Sequence, residues 1–106
     1  MTIIIVALYE IEIHEDAVLE LDELRPYDRN RILDEIEEQL NDEPGRSTRR
    51  KKILEALDPP WEHLGPVWQL SVGEFRVFYD VVEGDALVII RAVRKKPPHR
   101  ATVEIL

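Results

Sequence analysis

Cysteine is absent from the 106 residues, which excludes disulfides, thiolate metal sites and a cysteine nucleophile. Glycine is scarce, with four in the chain, and nowhere do the glycines cluster into a phosphate-cradling loop. Long apolar runs are missing as well. The longest extends from Ile3 to Tyr9, far short of the ~20 residues a membrane helix needs. No basic segment precedes it, so neither a membrane span nor a signal peptide is expected. His14, His63 and His99 are widely spaced, and no pair stands four apart beside a carboxylate, so no metal and no cofactor is expected. What remains is globular in character: 44% of residues are hydrophobic and 34% charged. The length fits one domain over residues 1–106, able to bury about two-thirds of the unfolded chain's surface. The expectation is a soluble cytoplasmic protein.

Basic residues are outnumbered, giving a formal net charge of −8, which argues against general affinity for nucleic acid. The distribution modifies that. Residues 1–43 hold fourteen acids and three arginines, whereas residues 44–106 hold eight acids and eleven bases. The bases gather in Arg46, Arg49, Arg50, Lys51 and Lys52, and again in Arg91, Arg94, Lys95, Lys96 and Arg100. Either each cluster is a solvated face, or the two meet as a local anion site on an acidic body.

The period of apolar residues changes along the chain. Residues 3–13 are β-branched and end in alternation (Tyr9, Ile11, Ile13 against Glu10 and Glu12), which reads as a strand. Ala17, Val18, Leu21 and Leu24 recur at helical spacing behind His14 or Asp16 as cap. Pro26 stops that helix or opens the next. From Tyr27 to Asn41, an Ile32, Leu33, Ile36 and Leu40 stripe opposes Asp34, Glu35, Glu37 and Glu38, an amphipathic helix ended by Pro44-Gly45. The basic stretch 46–52 follows, with Ile53, Leu54 and Leu57 pinning it to the core. Pro59-Pro60 and Gly65-Pro66 mark a loop. Three strands come last: Val67–Val72, a Gly73-Glu74 turn, Phe75–Val82, a turn at 83–85, and Ala86–Val93. In the middle strand Phe75, Val77, Tyr79 and Val81 share one face, and Arg76, Phe78, Asp80 and Val82 the other. The order β-α-α-β-β-β predicts an α+β fold, an antiparallel sheet with an αα-hairpin on one face.

The stretch PVWQLSVGEFRVFYDV, from Pro66 to Val81, resembles the signature of RelE/ParE-superfamily toxins. Lys52-Ile53-Leu54 before the meander and Ala92-Val93-Arg94-Lys95-Lys96 at its end are similar to two further family segments. The resemblance covers nearly the whole chain and rests chiefly on the V-G-E-F-R-V-F-Y-D hairpin. It implies a RelE-like fold and the toxin of a type II toxin–antitoxin pair, neutralised by a cognate antitoxin. RelE-like members bind the ribosome and cut mRNA; ParE-like members poison DNA gyrase.

Metal-free cleavage of RNA needs a base for the 2′-hydroxyl, positive charge for the phosphorane and an acid for the leaving 5′-oxygen. Arginine suits the second task, since its planar fork stays charged and grips phosphate oxygens in pairs. By resemblance Arg76 is the phosphate-stabilising residue; a structural pairing with Asp80 or a helix carboxylate is the other reading. Lys95 or Lys96 matches the family's catalytic basic position, with the register open by one. Arg94, Lys51 and Lys52 are candidates for RNA contact or plain surface charge. His99 could transfer protons in place of the tail tyrosine that this chain lacks. Trp61 and Trp68 could stack a base or pack internally. The strand Trp68-Gln69-Leu70-Ser71 carries no lysine or arginine, unlike RelE nucleases. The acidic helical face at Glu35, Glu37, Glu38 and Asp42 could steer a basic antitoxin segment.

Three functions follow, in this order: a ribosome-dependent mRNA endonuclease that inhibits translation, a ParE-like gyrase inhibitor, and a catalytically degenerate scaffold that only binds its antitoxin. The partners expected are the antitoxin, the ribosome and mRNA.

Overall fold

The computed structural model describes residue 2 and residues 8–55 and 57–106. Its elements are β1 (Glu10–Ile13), α1 (Glu15–Asp22), α2 (Pro26–Leu40), β2 (Lys51–Leu54), β3 (Val67–Val72), β4 (Phe75–Val82) and β5 (Leu87–Lys95), with short 3-10 turns at Glu83–Asp85 and Thr102–Ile105. Residues 3–7 of the expected opening strand lie outside the described residues.

Local chemistry sets the helix boundaries. His14 is the N-cap of α1, its Nδ1 accepting from the Asp16 amide at 3.2 Å. Pro26 takes the first helical position of α2, where its missing N–H costs nothing. At the other end of α2, the Lys51 ammonium donates to the carbonyls of Gln39 at 3.0 Å and Glu43 at 2.7 Å. A cation at the C-terminal end of α2 also complements the helix dipole.

Among the described residues the sheet has five strands in the order β1-β5-β4-β3-β2. The α+β class and the helical hairpin on one face agree with the sequence reading. Two details differ. The sheet is mixed, because β1 pairs parallel with β5, Ile11 opposite Val88. Also, the stretch read as a pinned basic loop contains β2, antiparallel to β3 with Lys52 opposite Gln69. Gly73 opens the β3–β4 turn at φ +56°, the left-handed conformation that glycine adopts without steric cost.

The helix face of the sheet carries the main core. Ala17, Leu21, Ile32, Ile36 and Leu40 pack on Leu70, Val77, Tyr79, Val88 and Ile90, each buried aliphatic stabilising by about 1.5–3 kcal/mol. The opposite, open face has a smaller cluster of Val67, Phe78 and Ala92, capped by Leu54, Trp61, Ile105 and Leu106. The β4–β5 register slips between Phe78 and Tyr79, which oppose Ala92 and Ile90, so Arg91 has no partner in the ladder. Such a bulge re-aims a side chain. Here Arg91 Nε donates to the fully buried Asp80 Oδ2 at 2.9 Å, which also accepts from the Leu64 amide at 2.8 Å. Asp80 thus fastens the 57–66 loop over the open face. Among the described residues, no helix is long and apolar enough to cross a membrane.

Candidate functional site

Strand alternation puts Ser71, Arg76 and Arg94 in one row across β3, β4 and β5 on the open face, at the end nearest the Gly73 turn. Opposed side chains in such a row stand about 5 Å apart at Cβ. Arg76 Nη1 donates to the carbonyls of Gly73 and Phe75, each at 2.8 Å. This fixes the guanidinium against the turn and leaves its other donors unengaged by any carboxylate within 4.0 Å among the described residues. Asp80, weighed as its partner, is instead taken by Arg91.

Arg94 is held from two sides. Its guanidinium is ion-paired with Glu20 of α1 and lies over the Trp61 ring, 5.5 Å from the centroid. Glu20 Oε1 also accepts from the Val93 amide at 3.2 Å, where β5 extends beyond β1 and exposes a free edge. Burial pulls the Arg94 guanidinium below the usual arginine range. Two arginines facing each other repel, and Glu20 neutralises only one of them. An anion laid across the row would relieve the remainder.

The basic ending of β5 resolves by alternation. Lys95 is opposite Phe75, so it points to the helix face, where its Nζ is 3.6 Å from Glu74. The Lys96 amide donates to the Glu74 carbonyl at 2.6 Å, which continues the ladder and returns Lys96 to the face of Arg76 and Arg94. Lys52 is exposed on that same face, opposite Gln69 and farther from the turn. Lys51 points inward, 4% exposed, and burial lowers its pKa. With its ammonium on the carbonyls of Gln39, in the last turn of α2, and Glu43, just past it, Lys51 has no reach to a nucleic-acid backbone. His99 is exposed beyond Pro97-Pro98 at φ +67°.

The two tryptophans divide between the faces. Trp68 stacks on Tyr79 at 6.3 Å and packs against the main core. Trp61 tilts against Phe78 at 5.4 Å on the open face. The tail from Thr102 onward also lies there, Thr102 Oγ1 donating to Gln69 Oε1 at 3.0 Å. Gln69, in the strand that carries no lysine or arginine, is only 2% exposed beneath it.

The sequence reading overlooked Glu20, one acid among many in an acidic helix. It also overlooked the Asp80–Arg91 pair, for which a signal exists. A lone carboxylate inside the apolar run FRVFYDVV needs a cation when buried, and the neighbouring strand offers Arg91. Among the described residues, no group of three His, Asp or Glu side chains is arranged to hold a metal ion.

Comparison with known proteins follows the same lines. The family described as ParE toxin of type II toxin-antitoxin system, parDE, matches residues 11–96. No curated protein sequence matches the chain. Among solved structures it is similar to a chain of the RelBE2 toxin–antitoxin complex from Mycobacterium tuberculosis, with TM-score 0.65, 20% identity, and coverage of 85% of this chain and 100% of that one. A chain of the archaeal RelE–RelB complex from Pyrococcus horikoshii gives TM-score 0.61 and 26% identity over 88% and 98%. The isolated RelE toxin of Escherichia coli gives TM-score 0.56 and 18% identity over 92% of each chain.

Proposed function

Because the chain belongs to the ParE toxin family of type II toxin–antitoxin systems, we propose that it acts in the cytoplasm as a ribosome-dependent endonuclease that cuts mRNA and so inhibits translation. The observation that carries this reading is that Arg76 and Arg94 stand opposite each other on the open sheet face, with Lys96 brought to that face by alternation and Glu20 paired to Arg94. In this reading the phosphate at the cut lies across Arg76 and Arg94. The 2′-hydroxyl of the preceding ribose gives its proton to water as its oxygen attacks phosphorus, the phosphorane's added negative charge falls on the Arg76 fork, and the P–O5′ bond breaks to leave a 2′,3′-cyclic phosphate and a 5′-hydroxyl. Lys96 is assigned the proton given to the leaving oxygen. His99 and Lys95 are held as alternates for proton transfer, and Lys52 as a contact to the RNA backbone. A cognate antitoxin is the proposed neutralising partner, as RelB is the partner in the Pyrococcus complex.

One observation favours a second reading, inhibition of DNA gyrase by protein contact. The β3 positions on the open face are Val67, Gln69 and Ser71, none of them a cation, unlike the RelE nucleases that the sequence resembles.

The test is cell-free translation with purified protein, read by primer extension on the message. Wild type should cut translated message, while Arg76→Ala and Lys96→Ala should each lower cutting by about 100-fold, the scale of removing one transition-state charge partner. Full cutting by both variants overturns the residue assignment. Intact message together with blocked supercoiling by gyrase transfers the function to the second reading.

A further inference from the structure

We infer that a second anion site lies beside the β3–β4 turn, a notch built on Arg31 and Arg50 that binds a backbone phosphate of single-stranded RNA. The inference rests on the nuclease reading for its ligand and extends the RNA path beyond the Arg76 row.

Three elements converge there. Arg31, from α2, lies against Gly73: a Cβ at that glycine would stand 2.7 Å from Nη2 and 2.9 Å from Nη1 of Arg31. Arg76, from β4, grips the Gly73 carbonyl from its own side. Arg50, just ahead of β2, accepts at its carbonyl from the Ser71 amide at 2.8 Å. The resulting notch has a volume of about 330 Å³ and is lined by Arg31, Glu35, Arg50, Ser71, Val72 and Gly73.

Its charge is unbalanced. Glu35 is 3.1 Å from Arg50, and Arg31 has no carboxylate within 4.0 Å among the described residues. Arg31 and Arg76 therefore flank one residue without a counter-ion of their own. Guanidinium forks in this setting select a tetrahedral oxyanion over a halide or a lone dipole. A cavity farther along α2 is lined instead by Asp34, Glu37, Glu38, Asn41 and Asp42. A polyanion is repelled from that side and accepted at the turn, which gives direction to binding on a chain of net charge −8. Gly73 is favoured here by its φ of +56°, and with no Cβ it lets the Arg31 fork lie directly against the turn.

The test measures binding of a fluorescent 12-nucleotide uridine oligomer by anisotropy at several salt concentrations. Arg31→Gln and Arg50→Gln should each weaken binding about 3- to 10-fold, and Arg31→Gln should lower the salt slope by about 0.7, the value for one phosphate contact on a single strand. Arg100→Gln, which removes an exposed tail cation paired with Glu104, should change affinity less than about 2-fold. Unchanged binding in both notch variants overturns the inference. So does an equal loss in Arg100→Gln, or binding of a polyglutamate peptide in preference to the oligomer. Message cutting is scored separately. Wild-type RNA affinity that does not depend on Arg31 refutes the notch alone, and a notch-dependent affinity without any message cutting refutes the nuclease reading alone.

Discussion

The two faces of the sheet are stabilised by different physics. Among the described residues, the helix face buries thirteen in a continuous apolar cluster, closed by non-directional burial. The open face has an apolar cluster of three buried residues among those described and relies on directed contacts: the Asp80–Arg91–Leu64 clasp, the Arg94–Glu20 pair and the Thr102–Gln69 bond. Two buried atoms on that side, Asp80 Oδ1 and Trp61 Nε1, have no hydrogen-bond partner among the described residues. A face assembled from polar clasps can present cations across its strands; a face closed by helices can do so only at its margin, as Arg31 of α2 does beside the Gly73 turn. The main core and the Arg76–Arg94 row are thus separated by one sheet thickness.

The sharpest way to break this division is at Asp80. Asp80→Ala leaves Arg91, whose side chain is 13% exposed, without its partner and removes the acceptor for Leu64. A loss of about 3–5 kcal/mol is expected, read by urea unfolding, with a change in Trp61 emission as the loop comes free. A loss below about 1 kcal/mol would mean that the open face does not depend on its clasp. Leu40→Ala tests the other face. Leu40 is fully buried, so a loss of about 3 kcal/mol is expected, without the change in Trp61 emission at low denaturant. If both variants alter Trp61 alike, the faces are one cooperative unit and the comparison loses its meaning.

Tyr79 sharpens the comparison because it is a polar group on the apolar face. Its hydroxyl donates to the Pro44 carbonyl at 2.8 Å, and burial holds the phenol above its ordinary value of 10.0. The unfolded chain releases this proton near pH 10 while the folded chain keeps it. The associated stability is complete below pH 10 and is lost as pH rises beyond it. Lys51, lowered by burial from 10.5, has the opposite slope, gaining stability as pH rises toward that value. Tyr79→Phe should therefore cost about 1–1.5 kcal/mol at pH 7 and flatten the alkaline decline. Urea midpoints between pH 8 and 11 check this; an unchanged decline would assign it to other groups.

Legibility in the sequence follows the same division. The helix face was legible because burial writes a period: Ile32, Ile36 and Leu40 at helical spacing, and Val77 and Tyr79 at strand spacing. The Gly73-Glu74 turn and the face of Arg76 were legible for the same reason. The strand Lys51–Leu54 was not, because an inward lysine disguises it. Lys51 reads as surface charge until α2 is seen to end above it. The choice between Lys95 and Lys96 turned on one residue of register, which the bulge at Arg91 alters and no pattern announces. The parallel docking of β1 on β5 is a long-range fact, absent from any local window. Open-face partners such as Glu20 and Arg94 are distant in sequence and joined only by topology.

The smallest expected effect concerns the tail. Ile105 and Leu106 rest on Val67, Phe78 and Ala92 while remaining partly exposed, and Thr102 supplies the bond to Gln69. Ordering these residues costs conformational entropy of about 1–2 kcal/mol each, nearly the size of what their partial burial returns. Thr102→Val with Ile105→Ala should thus cost only about 1 kcal/mol, even though Gln69 loses its partner, because the freed tail lets water reach that amide. Hydrogen exchange should show faster exchange at residues 101–106 with protection in β4 unchanged. A loss approaching that of Leu40→Ala would show the tail to be a structural part of the open face. That outcome would put the tail on the same footing as the helices and leave the Arg76–Arg94 row as the exposed part of a sheet closed on both sides.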